Sequence, residues 1–275
     1  MEITAAMKAG YAKDFHTHLN YAHCMVGMMH DVLLAVPVNK SVQVNLADVK
    51  RFLKLAKLTK VSIEGEISSC RSEPDYVQIA APWFAVKCYY RAYYLESCLI
   101  HLSSGSTEPF WNSGHHYVRK MIRTYCKVGY VKTKLHHAEV VDCYASALTH
   151  KIVSGANLKQ DYYLTEECVK SVRSKLAKYS VDHWKKNSPH SSFRPLVARK
   201  ELAAFISNGE VCLFDFFYQM RVKANYRDSD FLDFDKIKSS EGVEYIEQLK
   251  KATDKYCDAL HFALKNTLKE RALII

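Results

Sequence analysis

Glycine and proline are scarce in this chain. Nine glycines and six prolines among 275 residues make up about 5% of the sequence, against roughly 12% in average usage. Sandwiches, barrels and linker-rich chains use these residues in their turns. The deficit therefore argues against those architectures. Because 48% of the residues are hydrophobic and 25% are charged, the composition also argues against intrinsic disorder.

Paired cysteines and an apolar leader are also missing. The nine cysteines are odd in number and include no Cys-x-x-Cys pair. Cys88 and Cys98 fall within one predicted helix, too far apart to bridge. The opening residues MEITAAMKAGYAKDF carry charge early and lack the apolar core of a signal peptide. We therefore expect reduced, mostly buried thiols in a cytoplasmic protein.

The most apolar stretch, residues 79–102, is interrupted by Lys87, Arg91 and Glu96. Charges at this frequency predict a buried helix and no membrane span. Once buried, the two cations need acidic partners from elsewhere in the fold, a bound anion, or a route for their ends to water. Glu96 lies five residues after Arg91, a spacing that does not allow the two to pair within one helix.

Positive charge exceeds negative charge, with 39 lysines and arginines against 29 acidic residues, a net charge of +10. The sequence pI is about 9.0. Such a balance favours an anionic partner such as RNA or a nucleotide. A solvated basic surface that binds nothing gives the same composition.

Apolar residues recur at helical spacing along most of the chain, which predicts an all-α fold of about eight helices. Asn45 is a predicted N-cap, Pro195 is predicted to open a helix that Asn208–Gly209 interrupts, and residues 61–76 show no helical period and predict a loop or short strand. The predicted helices are 4–34, 46–58, 77–103, 115–127, 134–152, 165–185, 195–224 with its interruption at 208–209, and 241–270. The helix at 77–103 is apolar nearly all round and is expected to be central.

The last predicted helix has the cleanest apolar face. Its members are Val243, Ile246, Leu249, Thr253, Tyr256, Leu260, Ala263 and Thr267.

Two blocks carry a resemblance to a known family. The first is PWFAVKCYYRAYYLESCLIHLSSG followed by GHHYVRKMIRTYCKVGY, and the second is LFDFFYQMRVKANYRDSDF followed by EYIEQLKKATDKYCDALHFAL. Together they resemble HEPN domains, a nucleotide-binding helical fold of higher eukaryotes and prokaryotes. The resemblance implies an HEPN-like helical bundle at 76–275, with a helical insertion at about 130–195 and a helical extension at 1–75.

Many members of that family dimerise and cut RNA without metal, through an Arg followed after four to six residues by a His. No Arg in this chain has a His at that distance. Here Arg221 is followed by Asn225 and Tyr226, so this variant lacks the usual motif. These three residues are the candidate catalytic group. A helix-terminating brace is the alternative interpretation of the same residues.

A basic cluster supplies the candidate nucleic-acid contacts. Most of its members share one face of a predicted helix, where their mutual repulsion would be relieved by an RNA backbone. An exposed basic face that contacts nothing is the alternative. The members are His115, His116, Arg119, Lys120, Arg123 and Lys127, together with Arg227 after the Arg221 turn.

The sequence indicates no metal site and no cofactor. His136, Glu139 and Cys143 share a helical face, but no second ligand cluster accompanies them. No phosphate-cradling glycine loop, dinucleotide fingerprint or nucleophile elbow occurs. Two hypotheses follow: a metal-independent endoribonuclease of a toxin or defence system, and a non-catalytic HEPN-like module within a larger protein or RNA–protein assembly. A homodimer is implied by the resemblance alone.

Overall fold

The computed structural model describes residues 22, 25–26, 41, 43–104, 115, 118, 130–131, 187–190, 192, 194–207, 211–226 and 239–273. Helices dominate these residues, which confirms the predicted all-α class. The elements are α1 (Leu46–Ser72), α2 (Tyr76–Ser104), β1 (Tyr130–Val131), α3 (Leu196–Ser207), β2 (Val211–Cys212), α4 (Leu213–Tyr226) and α5 (Ser239–Glu270). The predicted helices at 134–152 and 165–185, and most of those at 4–34 and 115–127, lie outside the described residues, so the total of about eight stays a prediction.

Helix α1 corrects the prediction of a loop or short strand at residues 61–76. It begins where expected, since the Asn45 side chain accepts hydrogen bonds from the backbone N–H groups of Ala47 and Asp48, but it continues to Ser72. Ile63 and Ile67 extend its buried face at helical spacing. Gly65 is exposed, and its cost of about 1 kcal/mol is a local one that tertiary packing overrides.

Serines also obscured the helical pattern in this stretch. Their hydroxyls compete for backbone partners and are usually found at caps and turns. Here Ser68, Ser69 and Ser72 donate to the carbonyls four residues earlier, so their hydrogen bonds are satisfied within the helix.

Helix α2 is central, as its composition predicted. It packs against α1, α4 and α5. It runs antiparallel to α1, and the Asn45 backbone N–H at the start of α1 donates to Nε2 of His101 near the end of α2 at 2.9 Å. Pro82 lies inside α2, in its second turn. Burial on several sides is why this helix is apolar nearly all round.

Helix α5 closely matches its predicted range of 241–270. Val243 is partly buried against the core, and the seven other residues of the predicted face are buried. Helix α3 follows Pro195 directly and ends at Ser207, before Asn208–Gly209, as predicted.

A two-residue antiparallel pair, β1 with β2, precedes α4. Its register places Tyr130 opposite Cys212 and Val131 opposite Val211. It ties the chain at residues 130–131 to the start of α4 and does not alter the all-α class.

Residues on both sides of position 75 share one hydrophobic core. Val49, Phe52 and Ile63 of α1 belong to the same buried cluster as Phe84 of α2 and Phe217 of α4. The division into a 1–75 extension and a 76–275 domain, which the resemblance implies, stays a prediction.

Lys87 and Arg91, the two cations of α2, have acidic partners on neighbouring helices, which was one of the three alternatives that the sequence left open. Lys87 Nζ lies 2.9 Å from Glu66 Oε2 of α1. Arg91, which is 2% exposed, places Nη1 2.5 Å from Asp254 Oδ1 of α5. Asp254 also accepts from Lys250 one turn earlier. These ion pairs link α2 to α1 and to α5.

Four cysteines whose side chains the structure describes are buried free thiols, as expected: Cys70, Cys88, Cys98 and Cys257. Burial raises the pKa of the Cys88 thiol to about 12 and that of Cys70 to about 11. Both are therefore protonated and unreactive near neutral pH. Within the described residues, no helix has a stretch long and apolar enough to cross a bilayer.

Replacement of Asp254 by alanine is expected to lower the free energy of unfolding by about 3 kcal/mol, because it leaves the buried Arg91 without its counter-ion. The value is at the low end for a buried pair because Asp254 is itself 25% exposed. Urea unfolding measures the loss. Asp258→Ala, one turn later and exposed, is the matched control and should change stability by less than about 0.5 kcal/mol. Equal effects of the two variants would show that the ion pair does not matter.

Candidate functional site

Four tyrosines of α2 form an aromatic cluster between α4, which Tyr89 and Tyr90 contact, and α1, where Tyr94 meets Phe52. We call Tyr89, Tyr90, Tyr93 and Tyr94 the tyrosine cluster. Their spacing of one and four residues places them as two stacked pairs on adjoining faces of the helix. The ring of Tyr89 is fully buried and stacks on Phe214 of α4 at 5.1 Å between centroids, with 16° between the planes.

Arg221 of α4 lies over this cluster. Its guanidinium carbon is 5.1 Å from the ring centroid of Tyr89 and 5.4 Å from that of Tyr90. Nη2 donates to the Tyr90 hydroxyl at 3.3 Å. The Arg221 side chain thus rests on two negative ring faces, an arrangement worth about 2 kcal/mol when the cation is desolvated.

The charge of Arg221 is not neutralised within the described part of the chain. The residue is 8% exposed, and its Nε is buried without a hydrogen-bond partner among the described residues. No described carboxylate forms an ion pair with it. A buried cation with an unsatisfied N–H is costly, and an anion that supplied an acceptor would remove that cost.

His115 meets the same tyrosines from the segment that follows α2. Its Nδ1 is 2.6 Å from the Tyr89 hydroxyl oxygen. Its ring lies edge-on to Tyr89, Tyr90 and Tyr93, at 5.1 to 5.9 Å between centroids. His115 and Arg221, about one hundred residues apart in sequence, therefore flank the same two rings.

Three of these tyrosines, Tyr89, Tyr93 and Tyr94, keep their hydroxyls protonated at neutral pH. Burial raises the pKa of Tyr89, and the nearby Arg221 offsets only part of that rise. Burial likewise raises the pKa of Tyr93 and of Tyr94. A protonated Tyr89 can donate to Nδ1 of His115, which places the proton of a neutral ring on Nε2, or its oxygen can accept from Nδ1–H, which leaves Nε2 as an acceptor.

A second buried polar group lies further along α2. Glu96 is fully buried and accepts a hydrogen bond from the Tyr256 hydroxyl of α5, while its Oε2 has no partner among the described residues. Burial raises the pKa of Glu96 well above its ordinary value, and the neighbouring Asp215 adds to the rise. Glu96 therefore stays protonated at pH values at which an exposed glutamate is ionised.

The structure brings together two of the residues that the sequence singled out, Arg221 and His115. Asn225 and Tyr226 form the last residues of α4, and their side chains lie outside the described part. The other basic candidates also lie outside the described residues, as do the histidines and cysteine weighed as metal ligands: His116, Arg119, Lys120, Arg123, Lys127, Arg227, His136, Glu139 and Cys143.

The sequence connected the four tyrosines with the aromatic-rich helix of the resemblance but did not place them, or Phe214, in the candidate site. The doubled aromatic spacing at residues 89–94 was the available signal, but it fits a core face equally well. Asp254 could not be singled out either, because nothing in the pattern of α5 distinguishes it from Asp258. No group of three or more potential metal ligands occurs among the described residues.

Comparison with protein-family models, with curated proteins and with solved structures gave no match.

The Glu96→Gln variant is expected to be more stable than the wild type at about pH 8, with the difference shrinking toward about pH 5. Above the ordinary pKa of glutamate, the unfolded chain loses a proton that the folded chain keeps, so wild-type stability falls as pH rises. Glutamine cannot ionise in either state and still accepts from Tyr256. Thermal unfolding across this pH range measures the effect. Glu270→Gln, at an exposed glutamate, should follow the wild-type profile, and a parallel profile for Glu96→Gln would exclude the argument.

Proposed function

We propose that the chain is an HEPN-like RNA-associated protein whose Arg221 binds an RNA phosphate at the edge of the tyrosine cluster. The observation that supports this most directly is the Arg221 guanidinium, a nearly buried cation with an unpartnered Nε and no described counter-ion. Phosphate oxygens are the acceptors that a guanidinium binds best, often through two parallel hydrogen bonds. The net charge of +10 agrees with a polyanionic partner.

The activity we propose is metal-independent cleavage of RNA. Such cleavage needs a group that moves a proton at the 2′-hydroxyl or the leaving oxygen, and a cation that stabilises the charge developing on the phosphate. Arg221 suits the second role. His115 suits the first, since histidine is the side chain whose ordinary pKa is closest to neutrality.

His115 can take the place of the histidine that the family has shortly after its arginine and that this sequence lacks after Arg221. The histidine that the sequence lacks after Arg221 is supplied in space by a different segment, through the contact with Tyr89. That contact fixes the orientation of the ring and, when Nδ1 donates to the Tyr89 oxygen, leaves the Nε2 lone pair free to accept the proton of the 2′-hydroxyl. The role of Tyr89 is then to position His115. Its raised pKa makes it unsuitable as a base.

The second candidate function is a non-catalytic HEPN-like module that binds RNA or a protein partner as a subunit of a larger assembly. The depth of Arg221 favours it, because an arginine that is 8% exposed and held on two aromatic rings can serve as a brace between α2 and α4. The proposal also includes a role in a toxin or defence system, a homodimer and a cytoplasmic location. These three follow from the resemblance and the composition.

The test incubates a labelled structured RNA with the wild type, Arg221→Ala and His115→Ala in the presence of EDTA. Wild type is expected to cut the RNA, and each variant is expected to lose about a hundredfold or more of the rate, the usual contribution of one proton-transfer or charge-stabilising group. Arg199→Ala, at an exposed arginine of α3, is the matched control and should cleave like the wild type.

Folding of the variants is followed by thermal unfolding in the same samples. Loss of the two cation–π contacts lowers the stability of Arg221→Ala by about 2 kcal/mol, and Arg221→Lys retains the charge and part of those contacts. Uncut RNA that shifts on a gel, with an affinity that falls steeply with salt, would favour the non-catalytic module. RNA that is neither cut nor bound by the wild type would exclude an RNA-directed function.

A further inference from the structure

An apolar groove lies where the end of α5 meets α1 and α2. Its volume is about 940 Å³. Its apolar lining consists of Leu53, Leu102, Leu264, Leu268, Ala272 and Leu273. No lining residue belongs to α4 or to the tyrosine cluster, so the groove is separate from the Arg221 site.

The closed end of the groove is fixed by the way α5 terminates. Ala272 adopts a left-handed backbone conformation, with φ of 54°. Its N–H donates to the carbonyl of Lys269, and the N–H of Leu273 donates to the carbonyl of Leu268, each at 3.0 Å. This is a Schellman motif, in which the residue after the left-handed position commonly packs on the last turn of the helix. Those two positions are Leu273 and Leu268, and both line the groove. Arg271 holds the same turn against α2 through a 2.5 Å hydrogen bond from Nε to the Leu102 carbonyl.

Positive charge lies along the α5 side of the groove. Lys265 and Lys269, one turn apart on α5, line it directly and are exposed. On α1, Lys50 and Lys57 are exposed and share a helical face with Leu53, three residues before it and four after it. None of these four lysines forms an ion pair with a described residue, and no lining residue is acidic.

We propose that this groove binds an acidic amphipathic helix of a partner protein. The leucines of the lining and the two lysines of α5 beside them match a helix with apolar residues on one face and carboxylates along its edge. The groove is concave, whereas a membrane surface receives apolar side chains that project outward. A nucleic-acid backbone would use the lysines and leave the leucines exposed to water, which is unfavourable for an apolar groove.

The test is a binding titration by fluorescence anisotropy with a synthetic peptide. The probe is a fluorescein-labelled helix of about five turns, with leucines at helical spacing and glutamates beside them. The full chain is expected to bind it saturably, and the double variant Lys265→Glu/Lys269→Glu is expected to bind it roughly tenfold or more weakly.

The matched control is Lys251→Glu/Lys255→Glu, which makes the same charge change at the same spacing on α5, at exposed positions away from the groove. It should change the affinity by less than about twofold, because distant surface charges are screened by salt. A scrambled peptide of the same composition and a peptide with lysines in place of the glutamates should bind weakly.

Three outcomes would overturn the proposal: no saturable binding to the wild type, equal binding of the scrambled peptide, or equal weakening by both lysine pairs. Binding of phosphatidylserine vesicles in place of the peptide would also overturn it and would indicate a lipid surface. Because Arg221 and His115 take no part in the groove, failure of the RNA cleavage test leaves this titration unaffected, and Arg221→Ala should bind the peptide like the wild type.

Discussion

The structure depends on the burial of a helix that is not purely apolar. Helix α2 is packed by α1, α4 and α5, yet it carries Lys87, Arg91 and Glu96 into that environment. A buried charge is tolerated only when a partner neutralises it, or when it takes up or releases a proton. Glu66 and Asp254 neutralise the two cations, and the raised pKa of Glu96 keeps that group protonated. The helices that pack against α2 must therefore supply carboxylates at the right positions as well as a complementary apolar surface.

The cost of burying a charge also distinguishes Arg221 from Arg91. Arg91 meets a carboxylate, whereas Arg221 meets the faces of Tyr89 and Tyr90 and one phenolic hydroxyl. Aromatic faces attract a cation but do not neutralise it. A side chain in that position can brace two helices, and it can also receive an anion without first breaking an ion pair. Both proposed roles of Arg221, phosphate binding and bracing of α2 against α4, therefore depend on its cation–π contacts with Tyr89 and Tyr90.

The two proposed binding regions are at different levels of α2. The tyrosine cluster is centred near residue 90 and the groove includes Leu102, a separation of about 18 Å along a helix that rises 1.5 Å per residue. One region is aromatic and holds a nearly buried cation. The other is aliphatic and is bordered by exposed lysines. They differ in the chemistry of the ligand that each would accept, which allows an RNA-directed activity and a protein contact to occur on one chain.

The sequence by itself determined the helical class, the central position of α2, the buried face of α5 and the need of Lys87 and Arg91 for partners, because these follow from periodicity and from the cost of burying charge. It misplaced the end of α1, since serines and a glycine masked a buried face formed by Ile63 and Ile67. Only the tertiary structure decided that His115 meets Arg221 across two tyrosines and that leucines of three helices line one groove beside two lysines of α5. Both arrangements join residues far apart in the chain, and local pattern carries no information about which distant segments come into contact.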